Sequence, residues 1–278
     1  MKHETYEPNR YLKMGIKIWP CMIKDLARAR ELLWRFFIRD WSAKYRQSVL
    51  GYLWAVIMPF IAIGTFVFLN RAGILNIAAT GVPYPLFALT GLTVWQLFST
   101  GITSGCNSIV AAGSMVSKIN FPLEVLVFSS VAQAIFEFFI KCFMIIIAFF
   151  VFRYIPPWTV IFFPLAVLPV LILTLGCSFI LSLVNGILRD TANAVSLVTM
   201  FLMFLCPVLY PAPVSGNKAL FFRLNPISPL IAAPRDLIVY GYIKEPVDFF
   251  ISTIISVLFF LISWRIFYLV KSKIPERV

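Results

Sequence analysis

Charge is scarce in this chain. Of 278 residues only 13% are Asp, Glu, Lys or Arg, while 60% are hydrophobic; a soluble domain uses about a quarter of its residues as charges to cover its surface. Histidine is scarcer still: His3 is the only one, which removes a histidine-based catalytic or metal centre. The 12 acids form no cluster at a membrane face, which argues against a metal-dependent lipid transferase. No Gly-Lys dipeptide occurs, so the phosphate loop G-x-x-x-x-G-K-[ST] is missing, and no G-x-G-x-x-G follows a strand pattern. The chain therefore cannot bind and hydrolyse ATP in the usual way, and any energy it uses must come from another subunit. Five cysteines, at positions 21, 106, 142, 177 and 206, make no C-x-x-C and read as small core residues. The first 20 residues lack an apolar h-region and a small-residue cleavage site, so no cleavable signal peptide is expected. Neither an internal repeat nor a matched pair of broken helices is present, which disfavours an inverted-repeat carrier. No catalytic residue, metal ligand or cofactor is predicted on this chain, and no nucleic-acid partner.

What is there instead is apolar length. From Gln47 to Asn70, 24 residues pass without a charge, where about 20 suffice for a helix to cross the hydrocarbon core. Apolar continuity predicts an all-α integral membrane protein with six spans, near 49–69, 86–108, 123–152, 159–184, 194–211 and 249–270. An arm at 1–47 precedes this 48–270 membrane domain, and a short tail at 271–278 follows. An even number of spans puts both termini on one side. Most Lys and Arg sit in the arm, at Lys118 and Arg189, and in the tail. The opposite loops hold Arg71, Arg153, Lys218, Arg223, Arg235 and Lys244. The positive-inside rule then makes both termini cytoplasmic. Trp54, Trp95, Trp158 and Trp264 fall near predicted span ends, as an interfacial belt would.

Residues 24–47 have helical period. Lys24, Arg28, Arg35, Arg39 and Arg46 share one face, and Leu26, Leu33, Trp34, Phe37, Ile38, Trp41 and Tyr45 take the other. This predicts an amphipathic helix on the inner membrane face, serving as a lipid anchor, as a docking surface for a cytoplasmic partner, or as both. Its arginines suit a lipid diphosphate, with Arg28, Arg35, Arg39 and Arg46 as candidates.

Within the third span, Gln133, Glu137 and Lys141 are spaced four apart and share a face. A charge at mid-bilayer costs about 2.5–3.5 kcal/mol on insertion scales, and Glu before Lys at i,i+4 offsets part of it. A self-neutralising pair is the plainer reading; a proton or substrate site is the sharper one. Gly101 and Gly105 make a G-x-x-x-G, a close-packing device. Between the fifth and sixth spans, residues 212–248 carry Pro213, Pro226, Pro229, Pro234 and Pro246 around apolar pieces too short to cross. Short re-entrant helices on the outer side are expected there.

Five segments together resemble the membrane subunits of type-2 ABC exporters, and within them the polysaccharide-export permeases for O-antigen, capsule and teichoic acid. Tyr45-Arg46-Gln47-Ser48-Val49-Leu50-Gly51-Tyr52-Leu53-Trp54 leads to Pro59 as a basic interface helix runs into an LG-x-x-W turn in that family. Lys118-Ile119-Asn120-Phe121-Pro122-Leu123-Glu124 is similar to its loop before the third span. Arg189-Asp190, Pro207-Val208-Leu209-Tyr210 and Asn225-Pro226-Ile227-Ser228-Pro229 follow in order.

The resemblance implies a homodimer in the bacterial inner membrane above two copies of a separate ABC ATPase, which would carry the ATP and Mg²⁺. The pair would pass an undecaprenyl-diphosphate-linked polysaccharide, O-antigen foremost; the alternative is a smaller lipid, teichoic acid or drug-like amphiphile. ATPase movement would reach the spans through Gly51, Lys118, Phe121, Pro122, Arg189 and Asp190. Asn225, Pro226 and Pro229 would belong to an outer gate. A sliding sugar chain favours aromatic faces and few fixed charges, which makes Phe60, Phe66, Phe98, Phe201, Phe204 and Tyr210 candidates for the channel lining. An integral membrane transferase would need grouped acids or bases, which are absent, and an ion-coupled carrier would rest on Glu137 alone.

Overall fold

The structure is a computed structural model. It describes residues 18–46, isolated positions between 53 and 72, 80–113, 115–116, 121–211, 222 and 225–271. The described residues form eight α-helices: α1 Ile18–Arg28, α2 Arg30–Arg46, α3 Tyr84–Ala112, α4 Glu124–Val151, α5 Phe163–Ile187, α6 Thr191–Leu205, α7 Ile227–Val239 and α8 Pro246–Val270. A 3₁₀ turn at Trp158–Phe162 leads into α5.

Four of these are long and apolar enough to cross a membrane among the described residues: α3, α4, α5 with its leading turn, and α8. This corrects the expectation of six spans with re-entrant helices. The predicted fifth span, 194–211, is the 15-residue α6, about 22 Å long at ~1.5 Å per residue and short of a ~30 Å hydrocarbon core. The apolar run continues, but the helix does not. Cys206 caps it in an extended conformation, because the ring of Pro207 clashes with a helical residue before it and supplies no N–H. Of the two short pieces expected beyond it, Ile227–Val239 is α7, and 219–221 lies outside the described residues. Rather than dipping into lipid, α7 is enclosed by protein, with 11 of its 13 residues buried against α5, α3, α8 and the 3₁₀ turn. The predicted first span, 49–69, falls mostly outside the described residues.

The central helix is α3, with 78% of its apolar stretch buried, against 33, 44 and 28% for α4, α5 and α8. Its broadest contact is with α5, and glycine makes it possible. A Cβ on Gly101 would sit 2.4 Å from Thr174 Cγ2, and one on Gly105 would sit 2.3 Å from Ser178 Oγ. The G-x-x-x-G thus faces Thr174 and Ser178, themselves four residues apart on α5. Only hydrogen on the glycine side lets the two backbones approach this closely. Gly91 similarly accommodates the Val208 carbonyl.

Side-chain contacts define two ends. At one end Tyr240 donates to the Thr80 carbonyl (3.1 Å), Tyr154 to the Ile238 and Val239 carbonyls (3.1 and 3.0 Å), and Thr159 to the Leu237 carbonyl (3.1 Å). At the other end the N-terminal arm meets the bundle. The arm is two helices, not one across 24–47, broken at Ala29, whose N–H is shared between the Asp25 and Leu26 carbonyls. Its apolar side packs on protein: Ile18, Met22 and Phe36 join Ile109, Val125, Phe179, Trp264 and Phe267 in one buried cluster. Within α2 the bundle meets a different side of the helix from the one the wheel marks as apolar. Phe36 is buried at 5% exposure, while Trp34 and Ile38, placed on the apolar side by a continuous wheel, are 60 and 41% exposed. Of the tryptophans expected in an interfacial belt, Trp158 and Trp54 are 77 and 40% exposed, whereas Trp95 and Trp264 are buried at 3 and 7%.

Candidate functional site

An exposed helix face inside a bilayer is ordinarily apolar, and α3 departs from that rule. Trp95, Phe98, Ile102, Cys106 and Ile109 take its buried side. The half-exposed side carries Gln96, Ser99, Thr100, Thr103, Ser104 and Asn107, at the i, i+3, i+4, i+7 spacing of a single stripe. Alongside it, Ser196 and Thr199 of α6 close a groove of about 270 Å³ whose lining is six hydroxyl residues: Ser99, Thr100, Thr103, Ser104, Ser196 and Thr199. Several of these hydroxyls are already satisfied as donors. Thr103 donates to the Ser99 carbonyl (2.8 Å), Ser196 to the Ala192 carbonyl (3.0 Å) and Thr199 to the Val195 carbonyl (2.8 Å). Their oxygens keep lone pairs free to accept. Below the groove, Asn185 ties α5 to α3 by donating to the Cys106 carbonyl (3.1 Å) and the Asn107 amide oxygen (3.3 Å). The result is a polar, uncharged track at membrane depth.

None of the predicted channel residues is among the lining of this groove. Phe201 and Phe204 lie on the open face of α6, 65 and 54% exposed. Tyr210 is half-buried and donates to the Phe204 carbonyl (2.6 Å). Phe98 is instead a core residue, 2% exposed, with its ring 5.5 Å from Trp95. Phe60 is 56% exposed, and Phe66 lies outside the described residues.

At the arm end, Glu124 opens α4 almost fully buried and accepts from Lys271 Nζ at 2.7 Å. Lys271 also stands 3.6 Å from the Tyr268 ring centroid, and the Tyr268 hydroxyl donates to Asp25 at 2.7 Å. This chain of contacts joins α1, α8 and α4. Nearby, Phe121 packs on Phe36 with centroids 5.5 Å apart, and the Pro122 carbonyl accepts the first turn of α4 from Val125. Arg189 and Asp190 are exposed, and Asp190 accepts from Asn193 (3.2 Å) at the start of α6. Lys118 and Gly51 lie outside the described residues, as does the side chain of Arg46. Arg28 and Arg35 are exposed. Arg39 pairs with Asp40 at 2.6 Å, and its guanidinium lies over Phe36, 4.6 Å from the centroid.

At the opposite end, Asn225 accepts from the Ile227 N–H (3.1 Å) and donates to Cys206 Sγ (3.3 Å), and Pro226 caps α7, in which Pro229 is buried. Within α4, Glu137 and Lys141 form a buried ion pair at 3.7 Å, as their spacing predicts. Among the described residues no group of three or more His, Cys, Asp or Glu comes together to hold a metal ion.

Sequence reasoning missed the hydroxyl stripe, although its signal was readable: α3 is the least apolar of the four long helices, and its polar residues repeat at helical spacing. It also missed the Glu124–Lys271 and Asp25–Tyr268 contacts, whose partners are 147 and 243 positions apart. No local pattern could have revealed those.

The profile of the ABC-2 type transporter family matches residues 31–239. The chain is 29% identical over 216 residues to the O-antigen export system permease protein RfbA of Myxococcus xanthus, covering 76% of this chain and 82% of that protein. It is likewise 29% identical over 206 residues to an O-antigen export system permease protein RfbA of Klebsiella pneumoniae, covering 73% of this chain and 78% of that protein.

Proposed function

The chain belongs to the ABC-2 type transporter family, a multi-pass membrane permease subunit and not an enzyme, and from that premise we propose that it exports a polysaccharide carried on a polyprenyl-diphosphate lipid, O-antigen in the first instance. The observation that carries this reading is the groove of six hydroxyl residues between α3 and α6; Phe201 and Phe204 add exposed aromatic surface elsewhere on α6. A sugar chain needs hydrogen-bond acceptors and aromatic faces to slide along. A fixed charge would hold it, whereas apolar walls would leave its hydroxyls unpaired at about 1–3 kcal/mol each. The relatives it matches are O-antigen export permeases, which points to the same substrate class.

In this reading two copies face one another in the inner membrane, with α3 and α6 toward the shared path and both termini in the cytoplasm. A separate ATPase pair sits against the arm. Its movement enters the bundle where Asp25, Tyr268, Lys271 and Glu124 link the arm to α8 and α4, and through the exposed Arg189–Asp190 turn. Exposed Arg28, Arg35 and Arg39 attract the lipid diphosphate at the inner leaflet.

The test is deletion of the gene followed by separation of inner-membrane and surface fractions. Lipid-linked polymer held on the cytoplasmic face, with a bare surface, is the expected outcome. Normal surface glycan would overturn the proposal and direct attention to a smaller amphiphile.

A further inference from the structure

Pro207, Pro211 and Phe222, α7 itself and the 240–245 segment line a second cleft, of about 280 Å³, at the end of the bundle away from the arm. It lies just below the usual ~300–1,000 Å³ of a small-molecule pocket. Its floor contains the adjacent charged residues Arg235 and Asp236, 2 and 4% exposed. Arg235 is well held. Its Nη1 donates to the Pro207 carbonyl, and its guanidinium stacks over Phe87, 4.2 Å from the ring centroid. Yet Arg235 Nε has no hydrogen-bond partner, and neither does Asp236 Oδ1, which stands 3.7 Å from Arg235 Nη2, an ion pair too long for a hydrogen bond. Burial pushes the Asp236 carboxyl up and the Arg235 guanidinium down, against their mutual attraction. A buried charged donor and a buried charged acceptor left incomplete beside a cleft mark a place where something else completes them.

The remaining lining narrows what that is. Phe222, Tyr240 and Tyr242 supply aromatic surface, and Tyr242 is 60% exposed at the rim. A donor and an acceptor side by side fit vicinal hydroxyls, which present both. Arg235 and Lys244 are balanced in the lining by Asp236 and Glu245, which favours a neutral ligand over a free anion or cation, and Lys244 lies over the Tyr240 ring. Aromatic faces match the C–H side of a pyranose ring. We propose that this cleft is a saccharide subsite, separate from the hydroxyl groove, that holds one or two pyranose units through Arg235 and Asp236 as the chain leaves the membrane. The proposal rests on the polysaccharide reading above.

The experiment places a photoreactive residue in the full-length permease in cells that make the glycan, as Tyr242→p-benzoylphenylalanine at the cleft, Ser196→p-benzoylphenylalanine at the groove and Phe143→p-benzoylphenylalanine on the exposed apolar face of α4. After irradiation the purified permease is stained for attached carbohydrate. Staining at positions 242 and 196 but not 143 is expected. With Asp236→Asn in the same chain, staining at 242 falls about tenfold, the worth of one hydrogen bond to a charged group, while staining at 196 and permease abundance are unchanged. Staining at 196 without 242 overturns the subsite and leaves the export reading standing; staining at neither overturns both. Staining at 242 that Asp236→Asn does not reduce overturns the assignment of Asp236 and Arg235 as the binding groups.

Discussion

Gly105→Ala puts one methyl group into the close contact between α3 and α5. Its Cβ would lie 2.3 Å from Ser178 Oγ and 2.4 Å from Ser178 Cβ, whereas carbon atoms rest at about 3.5–4.0 Å. Helices α3 and α5 must therefore part by roughly 1 Å along their broadest contact, and overpacking of this kind costs about 1–3 kcal/mol. The parting also stretches the 3.3 Å hydrogen bond from Ser178 Oγ to the Gly101 carbonyl, worth about 1 kcal/mol. Alanine's better helix propensity returns about 1 kcal/mol. The net loss is about 1–3 kcal/mol, or a fall of about 2–4 °C in midpoint for each kcal/mol. Thermal unfolding in lipid nanodiscs, followed with a thiol-reactive dye, reads it directly, since Cys106 and Cys206 are free and buried in the folded protein. Ser178→Gly removes both clashing atoms, and the next neighbour of the new Cβ is Ser178 Cα at 3.4 Å, an ordinary contact. The double variant is therefore more stable than the sum of the single losses by about 1–2 kcal/mol. Gly105→Ala with an unchanged midpoint, or strictly additive single losses, would refute the close-packing argument.

Neutralising Glu137 or Lys141 alone leaves a buried charge without its partner of 3.7 Å and lowers stability by about 3–5 kcal/mol, whereas Glu137→Gln with Lys141→Met together costs less than either; a double variant worse than both singles would make the pair functional rather than structural. Lys271→Met deprives buried Glu124 of its 2.7 Å contact and lowers the unfolding midpoint by the equivalent of about 1–3 kcal/mol, with Glu124→Gln in the same chain recovering part of it; no recovery would show that the pair does not act as a unit. Thr100→Val with Ser104→Ala keeps volume but strips two hydroxyls from the α3–α6 groove, and surface glycan should fall several-fold at normal permease abundance. Full export by that variant would remove the groove from the path.

Sequence alone determined the solvent of this protein and the class of its work. Apolar runs longer than a bilayer is thick, the missing phosphate loop and the ordered segments from Tyr45 to Pro229 need only composition, spacing and local pattern. Local rules likewise located α3, α4, α5 and α8 within a few residues, paired Glu137 with Lys141, and marked Gly101 and Gly105 as a contact. Tertiary structure decided the rest. Hydropathy could not end α6 at Leu205, because the run stays apolar beyond Pro207 although the backbone cannot stay helical. It could not turn Ile227–Val239 from a lipid-facing hairpin into a buried helix, because an apolar surface is satisfied equally by lipid and by protein. The same ambiguity hid Phe98, Trp95 and Trp264 in the core and laid the arm's apolar side on α4 and α8. Which face of α3 stays open, and which charges meet across 147 or 243 residues, depends on the neighbours each helix finds, and only the packed bundle specifies them.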